Sequence, residues 1–211
     1  MRILVGTAVA LALSFSALSA EDNESKSTKY ENEGFYLGFH AIRTSFDNKT
    51  VKDNLNIEDL IGKNGIFYEL QIGGYIPATS DHFGAKYYAG LYYNHDRYDE
   101  SGVLLGLELS KRIVKSIPIA IQLGIKGGYG YQSVKNDTSN GIRFADNTIV
   151  YNIQGIAGLA LSPAKNLSFD LSYVYRYNHY EVTYINSANA KNEEFIKDKG
   201  HGIKLGVDLR F

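Results

Sequence analysis

The chain has no cysteine, no tryptophan and only three prolines among 211 residues. Without cysteine there is no disulfide framework, no thiol nucleophile and no thiolate metal ligand. Charge of one sign is lacking too. The formal net charge is −1, which gives a nucleic-acid partner no electrostatic support. The five histidines, His40, His82, His95, His179 and His201, are scattered without close metal-ligand spacing, so neither a metal site nor a cofactor is expected. Gly73-Gly74 and Gly127-Gly128 sit inside strand-like segments and not between a strand and a helix, which excludes a phosphate loop. Beyond the first residues no apolar run is long enough for a helical membrane span. A chain that crosses a membrane with strands shows no such run, because alternation hides its apolar face from any average.

The beginning of the chain has the layout of a secretory signal peptide. Met1-Arg2 is a short positive start, residues 3–18 are apolar, and Ala17-Leu18-Ser19-Ala20 supplies small residues before the abrupt change at Glu21. Cleavage after Ala20 puts Leu18 at position minus three; cleavage after Ser19 puts Ala17 there. The expected organisation is a signal peptide over 1–20, a polar periplasmic lead-in over 21–33 and one domain over 34–211.

From Gly34 onward the chain breaks into segments with period-two alternation. They lie at about 34–46, 65–76, 85–94, 102–112, 118–132, 148–161 and 167–180, and a closing strand ends at Phe211. The odd-numbered apolar residues Leu37, Phe39, Leu107, Ile125, Ile153 and Leu171 illustrate one face. The connections alternate in length. Those at 77–84, 111–117 and 162–166 are short, those at 47–64, 133–147 and about 181–200 are long, and 94–101 is intermediate. The fold class expected is all-β, an eight-stranded antiparallel up-and-down transmembrane barrel with its termini on the short-turn, periplasmic side. Aromatic residues should then form two girdles. Tyr68, Tyr93, Tyr129, Tyr131, Tyr151, Tyr175 and Tyr177 would lie at the outer rim, and Phe35, Tyr75, Phe83, Phe169 and Phe211 at the inner one.

The opposite strand face carries Glu69, Lys86, Glu108, Lys126, Asp170, Arg176, Lys204, Asp208 and Arg210, with nearly balanced signs. On lipid each Lys or Arg would cost about 2–4 kcal/mol near the midplane, so these residues belong inside. An eight-stranded interior is just wide enough for side chains to fill it. A mutually paired, plugged interior is one reading of this set; a narrow conducting pathway is the other.

The last eight residues, Lys204 to Phe211, run polar, x, Gly, x, x, apolar, x, aromatic, through Lys204, Gly206, Leu209 and Phe211. This octet resembles the sorting signal of bacterial outer-membrane barrels, which the barrel-assembly machinery recognises. Signal peptide, alternating strands, long outer loops and octet together look like the small outer-membrane β-barrel family, which includes the OmpA transmembrane domain and OmpX-like barrels. The resemblance spans 34–211. It implies a barrel in the outer membrane of a Gram-negative bacterium, surrounded by lipid and lipopolysaccharide, non-enzymatic and without cofactor. It further implies outer loops that act in adhesion to a host or surface ligand or in envelope integrity, and sometimes small-solute passage. No periplasmic wall-binding domain is expected after Phe211.

A weaker resemblance points elsewhere. The stretch Arg176-Tyr177-Asn178-His179-Tyr180-Glu181 is faintly similar to the Arg-x-x-His-x-Ser stretch of lipid A deacylases, whose Ser is the nucleophile. Here Glu181 occupies that place, so a lipid-modifying enzyme ranks third, behind a surface-interaction barrel and a channel. In the loops, Leu55, Ile57, Leu60 and Ile61 within 48–63 could form a short amphipathic helical turn on the rim. The stretch 186–199, rich in Asn, Lys and Glu, is expected to be loop.

Overall fold

The structure is a computed structural model that describes residues 33–47, 64–95, 99–114, 116–133, 143–144, 148–185 and 191–211. The leader, the lead-in before Glu33 and the amphipathic turn considered within 48–63 lie outside these residues. The strands are β1 (Gly34–Phe46), β2 (Asn64–Ile76), β3 (Gly84–His95), β4 (Asp99–Arg112), β5 (Ile119–Gln132), β6 (Arg143–Phe144), β7 (Thr148–Ala164), β8 (Leu167–Ile185) and β9 (Lys191–Arg210). Each long strand pairs antiparallel with its neighbours in the sheet. The first strand then pairs with the last, from Tyr36↔Arg210 to Phe46↔Gly200. The sheet is therefore a closed, eight-stranded, all-antiparallel barrel, and the two-residue β6 is an accessory at one rim.

Closure removes the sheet edges that an open meander would expose. The even number of long strands brings both ends of the described chain to the same rim. There the Phe211 amide donates to the Phe35 carbonyl at 2.8 Å, and the Arg210 amide to that of Asn166 at 2.9 Å. The turns at this rim are short. Thr79 Oγ1 accepts from the His82 amide at 2.8 Å, which ties the connection after β2 into a local turn. Between β7 and β8 the register shifts at Leu161/Ala164, around Ser162-Pro163, where a residue without an N–H cannot join the ladder.

Burial alternates residue by residue, as along most of β2. Leu70, Ile72, Leu91, Leu107, Ile125, Ile153, Leu171 and Leu205 all lie exposed on the exterior. The tyrosines expected at the outer rim face outward, with Tyr68, Tyr93, Tyr131, Tyr151 and Tyr175 exposed and Tyr129 and Tyr177 half-buried. At the other rim Phe35, Phe83, Phe169 and Phe211 are exposed. Tyr75 corrects the expectation. It is only 8 % exposed and lies inside, beneath the Arg210 guanidinium, because its odd number on β2 puts it on the inward face with Phe67 and Glu69.

The expected long connection over 181–200 is also corrected. β8 continues to Ile185 and β9 begins at Lys191, so much of that stretch is a hairpin extending past the other strands. β1 stops at Phe46↔Gly200 and β7 at Ile149↔Glu181. Within 133–147, β6 takes up the edge of β8 at Tyr184 and Ile185. The hairpin is polar in composition but still alternates. Tyr180, Val182 and Ile196 point inward and buried, while Glu193, Lys197 and Lys199 point outward. With Asn178 and Asp198 buried inside and Phe195 exposed outside, the hairpin mixes both senses, unlike the wall lower down, where Lys204 is inside and Ile203 and Leu205 are outside. The exposed Glu193, Lys197 and Lys199 suit water and not lipid, so the continuous apolar column of β9 ends above Ile203.

Closure has a direct test. Ser45 and His201 face each other across the β1–β9 seam. The double substitution Ser45→Cys/His201→Cys in this cysteine-free chain should form a disulfide under mild oxidation. The oxidised form should resist boiling in detergent electrophoresis more than the reduced form. Failure to cross-link while the unheated band is still compact would contradict the seam.

Candidate functional site: the charged interior

The alternation that makes the exterior apolar brings the charged residues of six strands into one confined space. Glycine supplies the room. Tyr88 stands opposite Gly106, Glu108 opposite Gly124, and His40 opposite Gly206. A Cβ at Gly106 would run into the Tyr88 ring, and one at Gly206 into the His40 ring. The inward glycines are therefore the counterparts of large side chains that reach across the lumen, and the space they leave is filled.

At mid-height the filling is ionic. Lys204 Nζ lies 2.8 Å from Asp170 Oδ2 and 3.1 Å from Glu108 Oε1. Lys86 Nζ lies 3.2 Å from Asp208 and 3.3 Å from Glu108. Lys126 Nζ bridges both oxygens of Glu69, at 2.6 and 2.7 Å. His40 Nε2 is 2.8 Å from Asp208 Oδ1. Neutral donors complete the carboxylate environment. The Tyr88 hydroxyl donates to Glu108 at 2.8 Å, Gln71 Nε2 to Glu69 at 2.9 Å, and Ser172 to Asp170. Four carboxylates thus face three ammonium groups and one imidazole, all buried. Removal of water makes each charge expensive unless it is paired and hydrogen-bonded, and these are both.

The expected residues fall into three layers. Glu69, Glu108, Lys126, Asp170, Lys204 and Asp208 belong to the central cluster. Arg176 lies nearer the outer end, where its Nη2 donates to Glu100 at 2.6 Å and its Nε to Asn178 at 2.7 Å. Its guanidinium stacks 3.9 Å above the Phe67 ring. Arg210 lies at the inner end, 4.2 Å over the Tyr75 ring, and donates to Ser162 at 3.2 Å. Glu100 and His40 are members of the interior that sequence reasoning misses. Glu100 falls in the intermediate connection over 94–101, and His40 is noted only among the histidines that lack metal-ligand spacing. Strand parity is the signal for both. Glu100 shares the inward phase of Leu104, Glu108 and Arg112. Of the terminal octet, Lys204 and Gly206 face inward, and Leu209 and Phe211 face outward.

The deacylase-like stretch is divided by the same parity. Arg176 points into the barrel, while His179 points outward between the rings of Tyr151 and Phe195. Two residues on opposite faces of a strand cannot act on one bond. Among the described residues no group of His, Asp or Glu could hold a metal ion.

A closed antiparallel meander with an apolar exterior, two aromatic girdles and a polar filled interior is the architecture of an eight-stranded outer-membrane β-barrel. Two solved structures are similar in fold. One is the crystal structure of Neisserial surface protein A (NspA), with 17% identity and a TM-score of 0.47, covering 84% of this chain and 97% of that one. The other is a major outer membrane protein from Thermus thermophilus, with 10% identity and a TM-score of 0.37, covering 84% of this chain and 100% of that one. No protein-family model and no curated protein matches the chain.

In the buried Glu69–Lys126 pair one ammonium meets both carboxylate oxygens, so it gives a clear stability test. Glu69→Ala or Lys126→Ala leaves one charge buried and uncompensated, which should lower unfolding stability in urea by about 3–5 kcal/mol. Glu69→Leu with Lys126→Met should recover most of that loss. Lys165→Ala, in the exposed β7–β8 turn, should stay within about 0.5 kcal/mol of the parent. Equal midpoints for Glu69→Ala, Lys126→Ala and Lys165→Ala would show that the interior pair is already well solvated.

Proposed function

We propose that the chain is a non-enzymatic barrel of a bacterial outer membrane whose interior is a structural plug and whose activity lies at its extracellular end, in surface interaction or envelope integrity. The observation that carries this reading is the continuous filling of the lumen. The Arg210–Tyr75 stack closes the inner end, the lysine–carboxylate cluster the middle, and Arg176, Glu100, Phe67 and Tyr92 the outer end. A solute would have to break several charge-assisted bonds to pass. The apolar band and its girdles support a place in lipid. The projecting β8–β9 hairpin and the connections beside it are what such a barrel would offer to a host or surface ligand.

During biogenesis, the outward column that ends in Leu209 and Phe211 is a surface for the barrel-assembly machinery, and Lys204 and Gly206 hold the inner side of the same strand. Leu209→Asp should leave export intact and reduce the folded, membrane-inserted fraction several-fold.

Planar-bilayer recording tests the plug. The purified protein should show no steady ion conductance, whereas Lys204→Ala combined with Lys86→Ala, which removes two of the ammonium groups, should give intermittent openings. Steady conductance by the unmodified protein would make it a narrow channel. A change in the acylation of lipid A in cells that produce the protein would instead restore the enzyme reading.

A further inference from the structure

The projecting hairpin is fastened to the first strand at a single level. The last described bond between β1 and β9 runs from the Asp47 amide to the Lys199 carbonyl, at 2.7 Å. Asp198 is the next inward residue of β9 beyond it, opposite Asn178 on β8, and it is buried. Its Oδ1 accepts from the Lys199 amide at 2.7 Å. Its Oδ2 is buried too and has no hydrogen-bond partner among the described residues. The other inward carboxylates are compensated. Glu69, Glu108, Asp170 and Asp208 meet ammonium groups, and Glu100 meets Arg176. Asp198 meets no cation within ion-pair distance among the described residues.

The groups that face it do not supply what is missing. On β8 the Asn178 side chain is engaged at both ends: its Oδ1 accepts from Arg176 Nε at 2.7 Å, and its Nδ2 donates to the Tyr180 hydroxyl at 2.8 Å. Arg176 is held by Glu100 of β4 and lies over the rings of Phe67 on β2 and Tyr92 on β3. The outer end therefore has two buried carboxylates, Glu100 and Asp198, to one buried guanidinium. Beyond β1, Asp47 adds a further negative charge. On β9 itself Lys197 and Lys199 point outward and are exposed. Burial lifts the Asp198 carboxyl from the ordinary carboxylate range to about 6; the Lys199 amide opposes the lift, Asp47 adds to it and Arg176 opposes it.

The geometry points to Asp198 as a proton-operated latch at the root of the projecting hairpin. A neutral Asp198 carboxyl stays inside, and the hairpin stays packed on the outer end of the barrel with Tyr180, Val182 and Ile196 buried. An ionised carboxylate without a partner is costly there and moves toward water, which loosens β9 above its last bond to β1. The inference rests on the reading that the protein acts at its extracellular end, and it adds how that end is regulated. In the loosened hairpin the carboxyl is hydrated and titrates near its ordinary value of about 3.9. Packing therefore takes up a proton. The packed state gains stability as pH falls from about 6 toward about 4, and it has no such gain above about 6.

Hydrogen–deuterium exchange of the protein in phosphatidylcholine vesicles tests the latch, at about pH 5 and about pH 7.5, with exchange times scaled to the intrinsic amide rates. In the unmodified protein the amides of 192–198 should be about tenfold better protected at the lower pH, while those of β4 and β5 stay level. Asp198→Asn, which is neutral at both values, should give the higher protection throughout, with a difference of less than about twofold. His179 and His201, on the outward face of the same hairpin, titrate in this range as well. His179→Gln/His201→Gln should therefore keep the tenfold change. A parent protein whose hairpin responds by less than about twofold overturns the latch without reference to any variant. A full response in Asp198→Asn, or its loss in the histidine double variant, overturns the assignment to Asp198. A parallel change in β4 and β5 overturns it too, since the whole barrel and not the hairpin would then be opening. The gel shift on heating, read on the same samples, separates these outcomes from failure of the barrel: a heat-modifiable protein with a pH-indifferent hairpin loses the latch and leaves the extracellular-end reading in place.

Discussion

A backbone in hydrocarbon must satisfy every N–H and C=O from within the protein, because no water is there to substitute. For a sheet this means closure, and closure here rests on one seam. β1 and β9, the most distant strands in sequence, pair over Tyr36↔Arg210 to Phe46↔Gly200. Once the seam is made, side-chain parity is fixed all the way round, since a one-residue slip on any strand would turn its apolar residues inward and its charges onto lipid. The interior is a consequence. Charged residues excluded from the exterior are crowded together, and they satisfy one another or incur a large desolvation penalty.

Some pairs in this interior, Lys86–Glu108, Lys204–Asp170 and His40–Asp208, join neighbouring strands, and others cross the lumen. Lys126 on β5 meets Glu69 on β2, Lys204 on β9 meets Glu108 on β4, and Arg176 on β8 meets Glu100 at the start of β4. The side chains therefore act as struts between opposite walls. This suits a small barrel, whose wall is strongly curved and whose glycines give the wall little bulk of its own at the positions opposite the struts.

Much of this is legible in the sequence, because a strand has a strict period of two. The inward phase of Glu69, Glu108, Lys126, Asp170, Arg176, Lys204, Asp208 and Arg210 follows from alternation alone. Partnership does not. Which lysine meets which carboxylate depends on shear and on side-chain reach across the lumen, so the division into an inner stack, a central cluster and an outer Arg176–Glu100 pair is not readable. The hairpin is hidden for a different reason. Its outward residues Glu193, Lys197 and Lys199 are polar, and a polar stretch reads as loop although Val182, Ile196 and Asp198 still keep the inward phase. Tyr75 joins a girdle only if residue type is weighed above its own parity.

The end of the apolar outward column along β9 divides the molecule into two regimes. Below Ile203 the wall is oily outside and charged inside; above Lys199 the outward face of β9 carries Lys197 and Glu193 beside Phe195, and the inward face Val182 and Ile196 beside Asn178 and Asp198. The seam and this boundary together predict how the protein opens. Hydrogen–deuterium exchange of the protein in lipid bilayers reads both at once. Amides of 36–43 and 203–209 should exchange as slowly as those of β4 and β5, while 191–198, paired on one side only by β8, should exchange faster. Rapid exchange along the β1–β9 seam, with β4 and β5 protected, would contradict a closed barrel.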